Sequence, residues 1–387
     1  MDSDAVLGLG WILLGLPLAF VLGWFASRFD LRQMRLENRQ APKAYFRGLN
    51  FLLNEQQDQA IDAFIEAVQN DPDTSELHFA LGNLFRRRGE YERAVRVHQH
   101  LLSRADLSRA DRERAQHALA LDYLKAGLLD RAEEALRRLE GTPFEEQARL
   151  ALLAIYERSR DWQQAAAITE RLAASGQGDF TTRRAHYLCE QAITRSTAGD
   201  LDGALALLEQ AVLTAPTAPR PRIERALFER RRGREEDAFA AFLQLDAAAP
   251  VALPLVARAL AESALASGHA DDARALLTAR YEASPSLDIL DAIVLLEQAV
   301  PGADARAWYV RHLERETSLV AAARWLAGES LVHEEFHPPI QKALDQAAKP
   351  LLRYRCAACG FEAQHHFWHC PGCQTWDSYP PRRVEEL

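Results

Sequence analysis

Four of the five cysteines fall at the end of the chain as two C-x-x-C pairs, Cys356-Ala-Ala-Cys359 and Cys370-Pro-Gly-Cys373, with ten residues between the pairs. Each pair presents two sulfurs to one point, and two pairs close a tetrahedral shell, so the spacing is that of a four-thiolate site for one iron or zinc ion. Such a shell is coordinatively full, which suits a structural or electron-carrying ion and leaves no position for a substrate. His365, His366 and His369 lie between the pairs and are expected to be surface or packing residues, because four cysteines already complete the shell.

A second pattern is His333-Glu334-Glu335-Phe336-His337, which matches the H-E-x-x-H arrangement of zinc peptidases, where two histidines one helical turn apart bind the metal and the Glu activates water. His337 precedes Pro338-Pro339, and a residue before proline is pushed away from helical geometry. The expectation is therefore that His337 leaves the helix, that no long helix follows, and that the motif is accidental. The chain has no phosphate-binding Gly-Lys loop and no G-x-S-x-G elbow. Cys189 sits in an apolar helical stretch and is assigned to packing. The chain reads as a non-enzyme, with a membrane-bound zinc peptidase through His333, Glu334 and His337, or a rubredoxin-type electron carrier, as the alternatives.

The frame that must hold these groups is legible in composition and periodicity. The chain has 387 residues, 48% apolar and 26% charged, enough for two or three compact units and too apolar for disorder. A net charge of -9 argues against nucleic acid as the main partner. A turn-plus-Ala element recurs from Glu55 to Ala60, Gly89 to Ala94, Gly127 to Ala132, Arg160 to Ala165, Gly199 to Ala204, Gly233 to Ala238 and Gly268 to Ala273, its alanines spaced by 34, 38, 33, 39, 34 and 35 residues. That is the period of the tetratricopeptide helix-turn-helix repeat. In the first copy Gly48, Phe51, Ala60, Phe64, Ala67 and Pro72 occupy the small, aromatic and proline positions. The predicted fold class is all-α, a tetratricopeptide-repeat solenoid of about seven repeats over 44–285, followed by degenerate helices over 286–348 and a metal module with its tail over 349–387.

Such an array is expected to leave a concave surface, lined by the first helix of each pair, free to hold a protein or peptide. Arg86, Arg87 and Arg88 end one first helix and Arg230, Arg231 and Arg232 another. One interpretation makes Arg86, Arg87, Arg230 and Arg231 contacts for an acidic ligand. The other, preferred because only 4 of the 46 basic residues are Lys, is that cations simply stabilise helix C-termini.

From Ala5 to Ser27 no residue is charged, and these 23 residues exceed the roughly 20 a helix needs to cross the hydrocarbon layer. Asp2 and Asp4 replace the basic start of a signal peptide, so 1–27 is expected to be a retained transmembrane anchor. Arg28, Arg32, Arg35, Arg39 and Lys43 follow it in a basic juxtamembrane helix over 28–43, which places the bulk of the chain in the cytoplasm and the N-terminus outside. Thiols there stay reduced. Gly15, Ala19, Gly23 and Ser27 recur on one helical face, a stripe that lets two membrane helices approach closely, whether from a partner or in a homodimer.

The cysteine knuckles with Tyr354, Phe361, Trp368, Trp376 and Tyr379 resemble rubredoxin and zinc-ribbon modules. The whole order of anchor, array and knuckles, sharpest at Tyr354-Arg355-Cys356-Ala357-Ala358-Cys359-Gly360-Phe361 and Cys370-Pro371-Gly372-Cys373, resembles the lipopolysaccharide assembly protein B family of Gram-negative bacteria. The resemblance implies a single-pass inner-membrane adaptor controlling lipopolysaccharide biosynthesis. Its implied partners are the membrane protease FtsH, the lipid A-committing deacetylase LpxC as client, and lipopolysaccharide synthesis or transport proteins.

Overall fold

The computed structural model describes residues 20–24, 43–71, 73–330 and 333–387. The predicted span over Ala5–Ser27 lies outside the described residues except for 20–24, and so do Gly15, Ala19, the basic residues Arg28 to Arg39, and Pro72. Residues 20–24 are helical, with Phe20, Val21, Leu22 and Trp24 exposed. A Cβ on Gly23 would meet nothing within 4 Å. Among the described residues one helical run, Pro250–Ser267, is long and apolar enough to cross a membrane. Its Leu253, Ala257, Leu260, Ala261 and Ala264 are fully buried against other helices, which accounts for its apolarity as core packing.

The chain forms two compact units, Met1–Ser159 and Arg160–Leu387. In the first, α1 (residues 43–53) pairs with α2 (Gln57–Asn70), α3 (Ser75–Arg88) with α4 (Tyr91–Ser103) and α5 (Arg109–Lys125) with α6 (Leu129–Arg137), and α7 (Glu145–Ser159) follows. The second opens with α8 (Trp162–Ala174). It continues through the pairs α9 (Thr181–Thr197) with α10 (Leu201–Thr214), α11 (Pro219–Arg231) with α12 (Glu235–Ala248), and α13 (Ala257–Ser267) with α14 (Ala270–Ala283). A 3-10 segment, Pro250–Val256, precedes α13. The shorter helices α15 (Leu287–Gln298), α16 (Ala307–Leu313), α17 (Leu319–Ala327) and α18 (His337–Ala348) lead into the cysteine module.

The recurrent turn has one geometry. Its first residue is left-handed in all seven copies, with φ of 59° at Glu55, 84° at Gly89, 75° at Gly127, 58° at Arg160, 88° at Gly199, 71° at Gly233 and 81° at Gly268. Glycine suits five of these because it carries no Cβ penalty at positive φ. The next residue then donates back to a carbonyl of the preceding helix, as Glu90 N does to Phe85 O at 2.9 Å and His269 N to Ala264 O at 2.8 Å. The chain reverses in two residues, and the alanine five positions on reaches the partner helix. Ala60, Ala94, Ala132, Ala165, Ala204, Ala238 and Ala273 are all 0% exposed.

Close approach between paired helices is seen at Gly82, where a Cβ would lie 2.5 Å from the His98 ring. That ring is buried, and its Nδ1 bonds Asp122 Oδ2 at 2.5 Å. Arg86 donates to the other Asp122 oxygen at 2.8 Å. A buried carboxylate linking one repeat to the next is thus paired on both oxygens, as burial requires.

Candidate metal centre

The cysteine module is built from two knuckles of matching design. In the first, Cys356 N donates to Phe361 O and Gly360 N to Cys356 O, both at 2.9 Å; in the second, Cys370 N donates to Thr375 O at 3.0 Å and Gln374 N to Cys370 O at 2.9 Å. The fifth position of each is left-handed, Gly360 at φ 78° and Gln374 at φ 59°. A two-rung ladder, Tyr354–Arg355 against Glu362–Ala363, carries the first knuckle.

The four sulfurs lie within 4.8 Å of one another, with Cys356 to Cys373 and Cys359 to Cys370 both at 3.8 Å. A tetrahedron of thiolates around zinc at about 2.3 Å has edges of about 3.8 Å, so the donor set fits one iron or zinc ion. Cys356 and Cys370 are buried while Cys359 and Cys373 are exposed. The Ser378 hydroxyl lies 3.2 Å from Cys356 Sγ, and the Thr375 hydroxyl lies 3.3 Å from Cys373 Sγ. Of the intervening histidines His365 is exposed, and the other two serve packing. His366 Nε2 pairs with Tyr379 O at 3.1 Å, and His369 Nε2 pairs with Gln374 O at 2.9 Å while its ring stacks on Trp376 with centroids 4.4 Å apart.

So short a segment cannot bury a core of its own, and its aromatic side chains find theirs on the helices of the second unit. Trp376 stacks on His186 of α9 at 4.7 Å between centroids and meets Tyr187 and Trp162 edge-on at 5.8 and 6.1 Å. His186 Nε2 bonds Asp377 Oδ2 at 2.9 Å. Buried Arg220 of α11 lies over Trp368 at 6.0 Å and holds Glu190 at 2.6 Å. Leu255 packs on the cluster of Tyr354, Cys356, Cys370 and Tyr379. The seat is made largely by first helices, so the expectation of a free groove is corrected for this unit: the chain's own module occupies part of that face, because the ring area on Trp368, Trp376 and Tyr354 exceeds what the knuckles can cover.

The tail after the knuckles completes the clasp. Arg383 holds Asp288 of α15 through two bonds of 2.8 and 2.7 Å, donates to Leu352 O at 2.7 Å and lies 4.1 Å over the Tyr354 ring. Glu386 accepts from Leu287 N at 2.7 Å at the start of α15. Glu385 accepts from Leu319 N at 2.6 Å, Val320 N at 3.1 Å and the Ser318 hydroxyl at 2.7 Å at the start of α17. Two terminal carboxylates thereby satisfy the orphan N–H groups of two helices. Burial pushes the Tyr354 phenol up, with Asp288 adding to it. None of His186, Trp162, Arg220, Asp288 or the terminal Arg383, Glu385 and Glu386 stood out in the sequence; the only hint was a surplus of aromatics in the module.

The H-E-x-x-H residues behave differently from expectation in one respect. His337 is helical, with φ -58° and ψ -50°, and is the first residue of the 12-residue α18. Prolines at 338 and 339 fall in the first helical turn, where no intrahelical donor is missing. His333 has φ -112° and ψ 84°, and a 3-10 turn over Glu334–Phe336 separates it from α18. The two histidines therefore lie on different elements, and His337 Nε2 is bonded to Leu326 O at 2.9 Å. Of the arginine clusters, Arg86 and Arg230 are engaged by neighbouring repeats at Asp122 and Glu262, whereas Arg87 and Arg231 are exposed. Cys189 is fully buried, its thiol pushed up to about 12 by that burial.

Residues 354–380 match the rubredoxin metal binding domain, and 77–113 and 189–252 match tetratricopeptide repeat models. The chain is 31% identical over 382 residues to lipopolysaccharide assembly protein B of Escherichia coli (strain K12), covering 95% of this chain and 97% of that protein. It is 25% identical over 387 residues to the protein of the same name in Haemophilus influenzae, covering 96% and 98%. A solved tetratricopeptide repeat protein from Parabacteroides merdae is 15% identical, with 67% of this chain and 99% of that one overlapping at a TM-score of 0.34. With repeats, knuckles and near full-length similarity in one order, the chain belongs to the lipopolysaccharide assembly protein B family.

Proposed function

We propose that the chain is an inner-membrane adaptor, anchored through 1–27 with its bulk in the cytoplasm, that presents the LpxC-type deacetylase committing lipid A synthesis to the membrane protease FtsH. The observation that carries this reading is the 31% identity over 95% of the chain to a lipopolysaccharide assembly protein. In this reading Gly15, Ala19 and Gly23 face the protease's membrane helix, Arg87 and Arg231 are available to a client, and Cys356, Cys359, Cys370 and Cys373 hold one iron or zinc ion. Domain limits follow the anchor, the basic segment, the array, the degenerate helices and the module. The ion organises the module without turning over a substrate, so the chain has no catalytic residue.

The test is affinity capture from membranes with the intact chain and with one lacking 1–27, together with the half-life of the deacetylase. Co-capture of protease and deacetylase by the intact chain alone, with a longer-lived deacetylase when the anchor is missing, is the expected result. An unchanged half-life in cells lacking the whole chain refutes it.

A further inference from the structure

The residues that follow the second knuckle, Thr375 to Ser378, divide between two surfaces. Trp376 and Asp377 turn to α9, where both meet His186. Thr375 and Ser378 turn to the sulfurs, the Thr375 hydroxyl 3.3 Å from Cys373 Sγ and the Ser378 hydroxyl 3.2 Å from Cys356 Sγ. Ser378 is fixed at two further points. Its carbonyl accepts from Ala357 N, inside the first knuckle, at 2.7 Å, and its hydroxyl also lies 3.2 Å from Thr375 O.

Around a bound ion the four cysteines are thiolates, so a divalent metal leaves the shell with two negative charges. A thiolate has no proton to give, and at Cys356 the hydroxyl must therefore be the donor. Its one proton has two acceptors at equal distance, and the charged sulfur outcompetes the neutral Thr375 carbonyl. Burial decides how much each hydroxyl matters. Cys356 is 1% exposed and Ser378 9%, so water does not replace a donor lost there. Cys373 and Thr375 are both exposed, and water can take the place of the Thr375 hydroxyl.

We infer that Ser378 is a positioning residue for the ion: its hydroxyl donates to the Cys356 thiolate, holds that sulfur in the shell and favours the more negatively charged state of the site. Thr375 does the same more weakly at Cys373. The inference rests on the four-sulfur shell binding one ion, and adds the residue that tunes its affinity and, with iron, its potential. A donor to sulfur raises that potential, because the ferrous shell carries one more negative charge than the ferric shell.

The test uses the full chain in detergent, loaded with zinc or with iron. Zinc affinity is read by competition with a chromophoric chelator, and the ferric–ferrous midpoint by redox titration of the iron form followed in visible light. Ser378→Ala should weaken zinc binding about tenfold and shift the iron midpoint to lower potential. Thr375→Val, which keeps the side-chain shape, should move both quantities in the same direction by less. Unchanged affinity and midpoint in Ser378→Ala overturn the inference, as does a larger effect of Thr375→Val. Weaker zinc binding with an unchanged midpoint also overturns it, since a lost packing contact and not a lost donor then explains the change. A parent chain that takes up neither metal overturns the reading of the shell itself.

Discussion

Arg383→Ala should release the C-terminal tail from the second unit without unfolding the array. The arginine makes two charge-assisted bonds to Asp288, a third to Leu352 O, and covers the Tyr354 ring. The ion pair keeps about a fifth of each side chain exposed, so its share is discounted from the value for a fully buried pair to about 1.5 kcal/mol. The carbonyl bond and the ring contact add about 1.5 kcal/mol together. A loss of about 3 kcal/mol in local opening free energy corresponds to about a hundredfold faster exchange in protected amides. The reporters are Val384 N, bonded to Arg353 O at 2.7 Å, and the α17 amides of Leu319 and Val320 held by Glu385. Hydrogen exchange read by mass spectrometry resolves these peptides from the rest of the array. Asp288→Ala and the double variant close a cycle whose coupling should be about 1–2 kcal/mol. Unchanged protection at 384 and 319–320, or strictly additive effects of the two substitutions, refutes the idea that this ion pair holds the tail.

Three further outcomes follow from the geometry. Glu55→Gly and Arg160→Gly, at left-handed turn positions, should each stabilise by about 1 kcal/mol, and Gly268→Ala should cost about as much, read from denaturant midpoints. Asp291 is raised to about 6 chiefly by burial, despite the neighbouring Arg324. The folded state then binds more protons than the unfolded state between about pH 4 and 6, so stability declines as pH rises through that window. Asp291→Asn should remove that decline, and a parent whose stability rises from pH 4 to 6 relative to the variant contradicts the assignment. The purified chain should hold one iron or zinc ion per molecule by elemental analysis; Cys373→Ser should lose it and speed exchange at 376–379, where Trp376 meets His186. Retained ion in that variant, or unchanged protection after chelation, argues that the seat on α9 alone folds the module.

Much of the local architecture was written in short-range chemistry. The seven turns were visible because a residue suited to the left-handed region, glycine in five copies, is followed at a fixed offset by a buried alanine, and that offset persists where Glu55 and Arg160 stand in for glycine. The knuckles were visible because thiolate spacing is dictated by the ion's geometry. His337 was misjudged because the steric bias on a residue before proline is a preference and not a prohibition, and prolines in the first helical turn leave the hydrogen-bond ladder intact.

Residue order alone therefore determined the helix pairs, their turns and the four-sulfur shell, since each depends on groups within a few residues of one another or on a repeated offset. Only the folded chain decided that His186 and Arg220 receive the module's tryptophans, and that Glu385 and Glu386 cap helices begun 66 and 99 residues earlier. Those contacts join side chains whose types are ordinary on any helical surface. Their partners are chosen by which faces the packed helices bring together, and no local pattern encodes that choice.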